Sequence, residues 1–157
     1  MEKESNFVEL PPATRIWAVG SIHSNLDSFN SIKEFIIKNF KKGDKLIFLG
    51  NVIGLGDNSK EVISSINDLR LNLMSKFFLK TVDIVFLRGA QEEMFSKLLQ
   101  LQIAPNPVEI IEWMFEHGVD KTLNSYGFSK DETRSIASSG TVSISKWTSK
   151  LNKSIMN

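Results

Sequence analysis

Apolar residues follow two patterns along the first two thirds of the chain, short continuous runs and longer stripes at helical spacing. Three short runs, each leading to a glycine, predict buried strands at residues 15–19 (RIWAV), 45–50 (KLIFLG) and 82–89 (VDIVFLRG). Apolar residues at intervals of three and four predict amphipathic helices at residues 26–40, 62–78 and 91–101. This alternation predicts an α/β fold with a three-stranded, mostly parallel βαβαβ core.

The last third of the chain has helical patterns only. A connector at 104–107 (APNP) precedes an amphipathic stretch at 108–118 and a turn of helix at 120–127. Ser129 followed by Glu132 has the form of a capping box, and the tail from Val142 repeats apolar residues at helical spacing. We therefore expect a single domain over residues 1–157, divided into an N-terminal arm (1–13), a βαβαβα core (14–101) and a helical region (102–157).

Composition narrows the choice of partner and compartment. The 157 residues include 19 basic and 18 acidic side chains, so the charge gives no nucleic-acid signal. Absence of cysteine excludes disulfides and thiolate metal sites. The opening residues lack the apolar segment of a secretory signal, and no run approaches the ~20 apolar residues that a membrane span needs. These features predict a cytoplasmic protein that does not enter membranes.

Candidate chemistry lies in the three loops that follow the predicted strands. Their sequences are GSIHSN at 20–25, GNVIGLGD at 50–57 and RGAQEE at 88–93. In open parallel sheets ligands bind beyond the carboxyl ends of the strands, where these loops meet. The glycine spacing of the second loop matches neither a dinucleotide fingerprint nor a nucleoside triphosphate loop.

Together the three loops resemble the motifs of the calcineurin-like metallophosphoesterases. That family carries Gly-Asp-x-His-Gly, Gly-Asp-x-x-Asp-Arg-Gly and Gly-Asn-His-Glu, each after a strand of a βαβαβ unit. The flanking segments NLDSF, DKLIFLG and IVFLRG agree as well, and WMFEHGVDKTLNSYG is similar to the helical insertion of bacterial serine/threonine phosphatases and diadenosine tetraphosphatases. The resemblance covers residues 14–127 and implies a partial metallophosphoesterase fold.

The resemblance also implies which positions correspond to the family's site, where two divalent metals share a bridging carboxylate and activate a water. The family's first metal-binding Asp, bridging Asp and metal-binding Asn correspond to Ser21, Asn51 and Ala90. Its general-acid His, the Asp that orients that His and a phosphate-binding Arg correspond to Gln91, Gly54 and Leu55. His23, which matches a metal-binding His, and Arg88, beside the third motif, are retained.

These replacements remove the family's chemistry. Hard dications need oxygen or imidazole ligands that carry enough negative charge, and Ser21, Asn51 and Ala90 supply no charge. Gln91 has no proton to give near neutral pH, so it cannot replace the general acid. We therefore expect a vestigial site with no catalytic residue, no metal ligand set and no cofactor. His23 and Arg88 either pack at their loops or bind an anion without hydrolysing it.

The second half of the family fold, which carries further metal-binding histidines, has no counterpart after residue 127. The sheet should then leave apolar surface uncovered, and such a patch marks an interface. We expect the arm and tail helices to cover part of it and a second copy or a partner protein to cover the rest. The leading hypothesis is a pseudophosphatase that acts by protein binding as a scaffold, assembly component or regulator. The alternatives are a metal-dependent protein phosphatase or dinucleoside tetraphosphatase with residual activity, and a phosphate or nucleotide sensor.

Overall fold

The structure, a computed structural model, describes residues 9–156, which form an α/β fold with one three-stranded sheet and seven α-helices. The elements are β1 (Arg15–Val19), α1 (Leu26–Asn39), β2 (Asp44–Phe48), α2 (Ser59–Phe77), β3 (Ile84–Phe86), α3 (Ala90–Leu98), α4 (Pro107–Glu116), α5 (Val119–Ser125), α6 (Lys130–Ala137) and α7 (Thr141–Met156). Single 3₁₀ turns cover Thr81–Asp83 and Leu101–Ile103. The predicted α/β class and parallel core are confirmed.

The sheet has the order β1-β2-β3, and both pairs of neighbours are parallel. Its register places Trp17 opposite Leu46, and Ile47 opposite Val85. Helices α1 and α2 bury their apolar stripes on one face of the sheet. This first core contains fully buried side chains from α1, β2 and α2, among them Phe29, Ile36, Leu46, Phe48, Leu69 and Leu73.

Asp44 joins β1 to β2 at the amino-terminal end of the sheet. Its carboxylate is buried and accepts hydrogen bonds from the Arg15 guanidinium at 2.6 and 3.0 Å, the Trp17 indole N–H at 2.9 Å and the Lys41 backbone N–H at 2.9 Å. The Arg15 guanidinium, helped by the other donors, lowers the pKa of Asp44 from 3.8 to about 2 despite its burial. The edge strand β1 is therefore fastened by a satisfied buried charge as well as by its backbone ladder.

The helical region has an apolar core of its own. This second core collects buried residues from α3 through α7, including Leu98, Ile111, Leu123, Ile144, Trp147 and Leu151. Helix α7 packs against α6 and the turn Leu101–Ile103, so the expectation that the tail helix covers the sheet is wrong. Residues 1–8 of the predicted arm lie outside the described residues, and residues 9–13 form neither helix nor strand.

Two predicted elements differ locally from their pattern. The third strand is only Ile84–Phe86, because Thr81–Asp83 forms a 3₁₀ turn whose start is closed by the Asp83 carboxylate accepting the Lys80 N–H at 2.7 Å. At the start of α6, the Ser129 hydroxyl accepts the Glu132 N–H at 3.1 Å, while the Glu132 carboxylate turns toward Lys150 at 3.6 Å. Over residues 9–156, no helix has the length and apolar character to cross a membrane.

Candidate functional site

The first and second loops meet at the carboxyl end of the sheet, as the order of the strands requires. The backbone N–H groups of Ile22 and His23 both donate to the Asn51 carbonyl, at 3.0 and 2.9 Å. The Ser24 N–H donates to the Val52 carbonyl at 2.9 Å. Two loops that are separate in sequence are therefore held together by their backbones.

Glu92 ties the third loop to the second. Its carboxylate accepts backbone N–H groups from Asn51 at 2.7 Å, Val52 at 2.8 Å, Ile53 at 3.3 Å and Gly89 at 2.9 Å. Glu92 was not among the site residues predicted from the loops, although it corresponds to the Glu that ends the third motif of the family they resemble. The available signal was local: Glu three residues after Gly89 is the N3 position of α3, where a side chain reaches back to the helix start.

Gln91 and Gly54 pack against one another below these loops. The Gln91 amide is buried and donates to the His117 carbonyl at 2.9 Å. Gly54 has φ +84°, and a Cβ built on it would lie 2.1 Å from Gln91 Oε1. The side chain at 91 therefore occupies the volume that any side chain at 54 would need.

Leu55 makes the equivalent contact with the helical region. A Cβ on Gly118, which has φ +87°, would lie 2.7 Å from Leu55 Cδ2 and 2.9 Å from its backbone nitrogen. Gly118 links α4 to α5, so the tip of the second loop rests directly on that junction. Two of the family-matched positions in this loop thus contact the chain's own helices.

A buried chain of hydroxyl groups connects the same elements. The Ser24 and Ser59 hydroxyls are 2.6 Å apart, and Ser59 donates to Thr122 Oγ1 at 3.1 Å. Thr122 Oγ1 also accepts the Gly54 N–H at 3.1 Å. All four groups are satisfied in the interior, so the chain fixes both loops to α2 and α5.

Backbone strain concentrates in these two loops. His23, Ser24, Asn51 and Leu55 have φ between 48° and 59°, a left-handed conformation that L side chains rarely adopt. Such residues cost of order 1 kcal/mol or more each and persist only where surrounding contacts determine the backbone. The Glu92 hydrogen bonds and the hydroxyl chain supply those contacts.

The remaining predicted site residues are more loosely placed. Ser21 is exposed, with its hydroxyl 3.5 Å from the Asn51 amide nitrogen, and Ala90 is the exposed first residue of α3. Arg88 is exposed and pairs with Glu93 at 3.3 Å. Among the described residues, Nδ1 of His23 is buried without a hydrogen-bond partner. The structure therefore brings Ser21, His23, Asn51, Gly54 and Gln91 together and directs Arg88 to a neighbour on α3.

The donors present do not fit a pair of divalent metals. Oδ1 of Asn51 already accepts the Gln91 N–H at 3.1 Å, and both Glu92 oxygens bind backbone N–H groups. Ser21 and His23 add only a hydroxyl and an imidazole. Of the two carboxylates in the groove beside His23, Asp27 and Asp57, the second is paired with Lys121 at 3.0 Å, which leaves too little negative charge for two divalent ions. In the part of the chain that the structure describes, no three His, Asp or Glu side chains are grouped to hold an ion.

Comparisons with known proteins returned no relatives. No protein-family model, no curated protein and no solved structure matches this chain.

Proposed function

We propose that this chain is a catalytically inactive, metallophosphoesterase-like protein with a partial form of that fold, which acts by binding another protein as a scaffold, assembly component or regulator. One observation carries the proposal. The positions that correspond to catalytic residues of the family, Gly54, Leu55 and Gln91, are used for packing between the loops and the helical region.

These contacts are incompatible with the roles that the family gives those positions. A general acid must reach the leaving group, whereas the Gln91 amide is buried and donates to the His117 carbonyl. A phosphate-binding cation must face the substrate, whereas Leu55 lies on Gly118. Gln91 is therefore turned into the interior, and Leu55, although 55% exposed, carries no charge for a phosphate.

The rigidity of the loops also supports a use other than hydrolysis. Four strained non-glycine residues, one carboxylate with four N–H donors and a buried hydroxyl chain hold the loops in a single conformation. A rigid, concave surface of this kind suits recognition of a protein, because little conformational entropy is lost when it binds.

The experiment measures metal content and turnover on the purified chain of residues 1–157. We expect no bound manganese, zinc or iron above background, and no hydrolysis of p-nitrophenyl phosphate with added Mn²⁺ beyond the rate of a His23→Ala variant. His117→Ala is the matched control, since it removes the other histidine. Bound metal together with turnover that His23→Ala abolishes and His117→Ala preserves would overturn the proposal.

The phosphate-sensor alternative draws on the unpaired Nδ1 of His23. The groove of about 450 Å³ beside His23 is, however, lined by Asp27, whose carboxylate repels an anion, and by Asp57, whose charge is offset by Lys121 at 3.0 Å. We therefore expect inorganic phosphate to leave the melting temperature unchanged. A concentration-dependent rise that is lost in both His23→Asn and Arg88→Ala would favour the sensor.

A further inference from the structure

One edge of the sheet has backbone groups that are arranged to pair with another strand. The Val19 carbonyl accepts the Leu49 N–H at 2.9 Å, so the backbone groups of Val19 face β2. Backbone direction alternates along a strand, which turns the N–H and C=O groups of Ile16 and Ala18 toward the outer edge. Within residues 9–156, β1 is the last strand on that side of the sheet.

Exposed apolar side chains lie around this edge, together with the Arg15 guanidinium, which stands 5.1 Å from the Trp17 ring centre. Ile16 is 56% exposed and Ala18 is also exposed. Phe35 of α1 is 60% exposed, and its ring lies 6.0 Å from that of Trp17. An exposed aromatic residue therefore stands directly beside an exposed strand.

The exposed flank of α1 faces away from the rest of the fold. Lys33 and Asn30 hydrogen-bond Ser65 on α2, which fixes the inner flank of α1. At 100° per residue, Phe35 projects roughly opposite to these two, and Ile32 lies between Phe35 and the core. The apolar flank of α1 thus overhangs the free edge of β1.

Within residues 9–156, this edge lacks the features that normally protect a terminal strand. Proline, a central lysine or a bulge keeps exposed edges from pairing with other chains. Between Arg15 and Gly20 the strand has none of these, and Arg15 is engaged with Asp44. An unprotected edge of five residues beside an apolar helix flank is a template for a further strand and helix.

We propose that β1 pairs antiparallel with β1 of a second copy, about a two-fold axis at Trp17, to form a six-stranded sheet across a homodimer. In this register Ile16 lies opposite Ala18 of the second copy, so every outward N–H and C=O of these two residues finds a partner. The same rotation sets the two α1 helices side by side, with Phe35 and Ile32 buried between them. A chain with net charge +1 offers little long-range repulsion to such a dimer.

The second copy fits this surface better than an unrelated strand does. A two-fold interface uses the same patch on both molecules, and here one patch supplies both the strand edge and the helix flank that must cover it. The dimer depends on the edge of β1 and not on the loss of catalysis.

The first test is the molar mass of the chain of residues 1–157 by sedimentation velocity at micromolar concentration. We expect twice the chain mass of 17.7 kDa. Ala18→Pro removes an outward N–H without touching the β1–β2 ladder, and it should give a folded monomer by circular dichroism. Phe35→Glu should also give a monomer, whereas Leu71→Glu, at a residue 62% exposed on α2, should leave the dimer intact.

The register is tested by cross-linking, since the chain has no cysteine of its own. Directly opposed Cα atoms in this pair are about 5.5 Å apart, within the span of a disulfide. A mixture of Ile16→Cys and Ala18→Cys chains should therefore form the mixed disulfide faster than either variant alone cross-links. Faster cross-linking of identical variants would contradict the register and overturn the proposed pairing.

Two further outcomes would overturn the dimer. One is that the chain of residues 1–157 is a monomer. If it dimerises only after removal of residues 1–8, the proposal also fails, because that result would mean that the chain's own N-terminal segment occupies the edge. The other is a dimer that persists in both Ala18→Pro and Phe35→Glu. Phosphatase turnover by an intact dimer would contradict the proposed function but not the proposed dimer. A monomer without turnover would contradict the proposed dimer but not the proposed function.

Discussion

Gln91 occupies the space beside Gly54, with Oε1 2.1 Å from where a Cβ on residue 54 would lie. Its amide nitrogen is held at the same time by the His117 carbonyl at 2.9 Å. The side chain is buried and cannot swing into solvent without losing that bond. Position 54 is therefore closed to side chains by a neighbour as well as by its positive φ.

The first prediction separates these two causes. Gly54→Ala and Gly127→Ala introduce the same methyl group at φ +84° and +82°, but nothing lies within 4 Å of Gly127. Gly127→Ala should lower the free energy of unfolding by about 1 kcal/mol from backbone strain alone. Gly54→Ala should cost a further ~1–3 kcal/mol from overpacking against Gln91, measured by urea unfolding.

A double mutant checks the assignment. Adding Gln91→Ala to Gly54→Ala should restore the part of the free energy of unfolding that was lost to overpacking. The backbone strain at residue 54 remains, so the effects of the two substitutions are non-additive. Additive costs, or equal costs for the two glycines, would show that Gln91 does not close the position.

The second prediction concerns the carboxylate that joins the loops. Glu92→Gln keeps the shape of the side chain but cannot accept all four N–H groups as a charged acceptor, so we expect a loss of about 1–3 kcal/mol in the free energy of unfolding. Hydrogen exchange at residues 51–53 should accelerate with it. The matched control is Glu93→Gln, which removes the neighbouring, exposed carboxylate that pairs with Arg88 and Lys97. Similar protection of residues 51–53 in both variants would contradict the role of Glu92.

The third prediction breaks the buried hydroxyl chain. Thr122→Val removes the acceptor of both the Gly54 N–H and the Ser59 hydroxyl, and a buried donor left unpaired costs about 1–3 kcal/mol. Thr133→Val is the control, because that buried hydroxyl only donates to the Ser129 carbonyl, which keeps the Thr133 N–H as a partner. Thermal unfolding should show the larger loss for Thr122→Val. The reverse order would mean that the loops do not depend on α5.

The fourth prediction is a pH dependence set by Asp44. Because its pKa is lowered in the folded state from 3.8 to about 2, the folded state binds a proton less readily than the unfolded chain. The resulting stabilisation is complete above about pH 4 and is lost as pH falls toward about 2. In Asp44→Asn the free energy of unfolding should therefore fall less between about pH 4 and pH 2 than in the wild type, as measured by urea unfolding at several pH values. Asp131→Asn, at an exposed carboxylate on α6, should keep the wild-type slope.

Regular elements could be predicted from the sequence because their signals are local. The run RIWAV predicts a strand and the apolar stripe beginning at Leu26 predicts a helix, each from neighbouring residues alone. The bounds of β1 and α1 agree closely with these predictions. The third strand was predicted too long because Asp83 prefers to close a turn on the Lys80 N–H, a choice that apolar content does not reveal. The tail helix was recognised but misplaced, since the pattern gives an apolar stripe and not the surface that it meets.

The sequence predicted which loops meet at the site but not the side-chain contacts that those loops make. Motif order indicated which loops meet, and the hydrogen bonds between residues 22–24 and 51–52 agree with that expectation. The hydrogen bonds of Glu92 to the second loop could not be predicted, because its partners at 51–53 lie about forty positions earlier and become neighbours only in the folded sheet. The contacts of Gln91 with His117 and of Leu55 with Gly118 depend in the same way on how the helical region docks.

The paired contacts of the second loop have a historical consequence if the chain descends from an active phosphoesterase. An aspartate introduced at position 54 collides with Gln91, so this change destabilises the chain until residue 91 has changed as well. A single step from glycine to aspartate at this position therefore lowers the stability of the fold. Packing thereby sets the order in which these two positions can change: residue 91 must become smaller before residue 54 can gain a side chain.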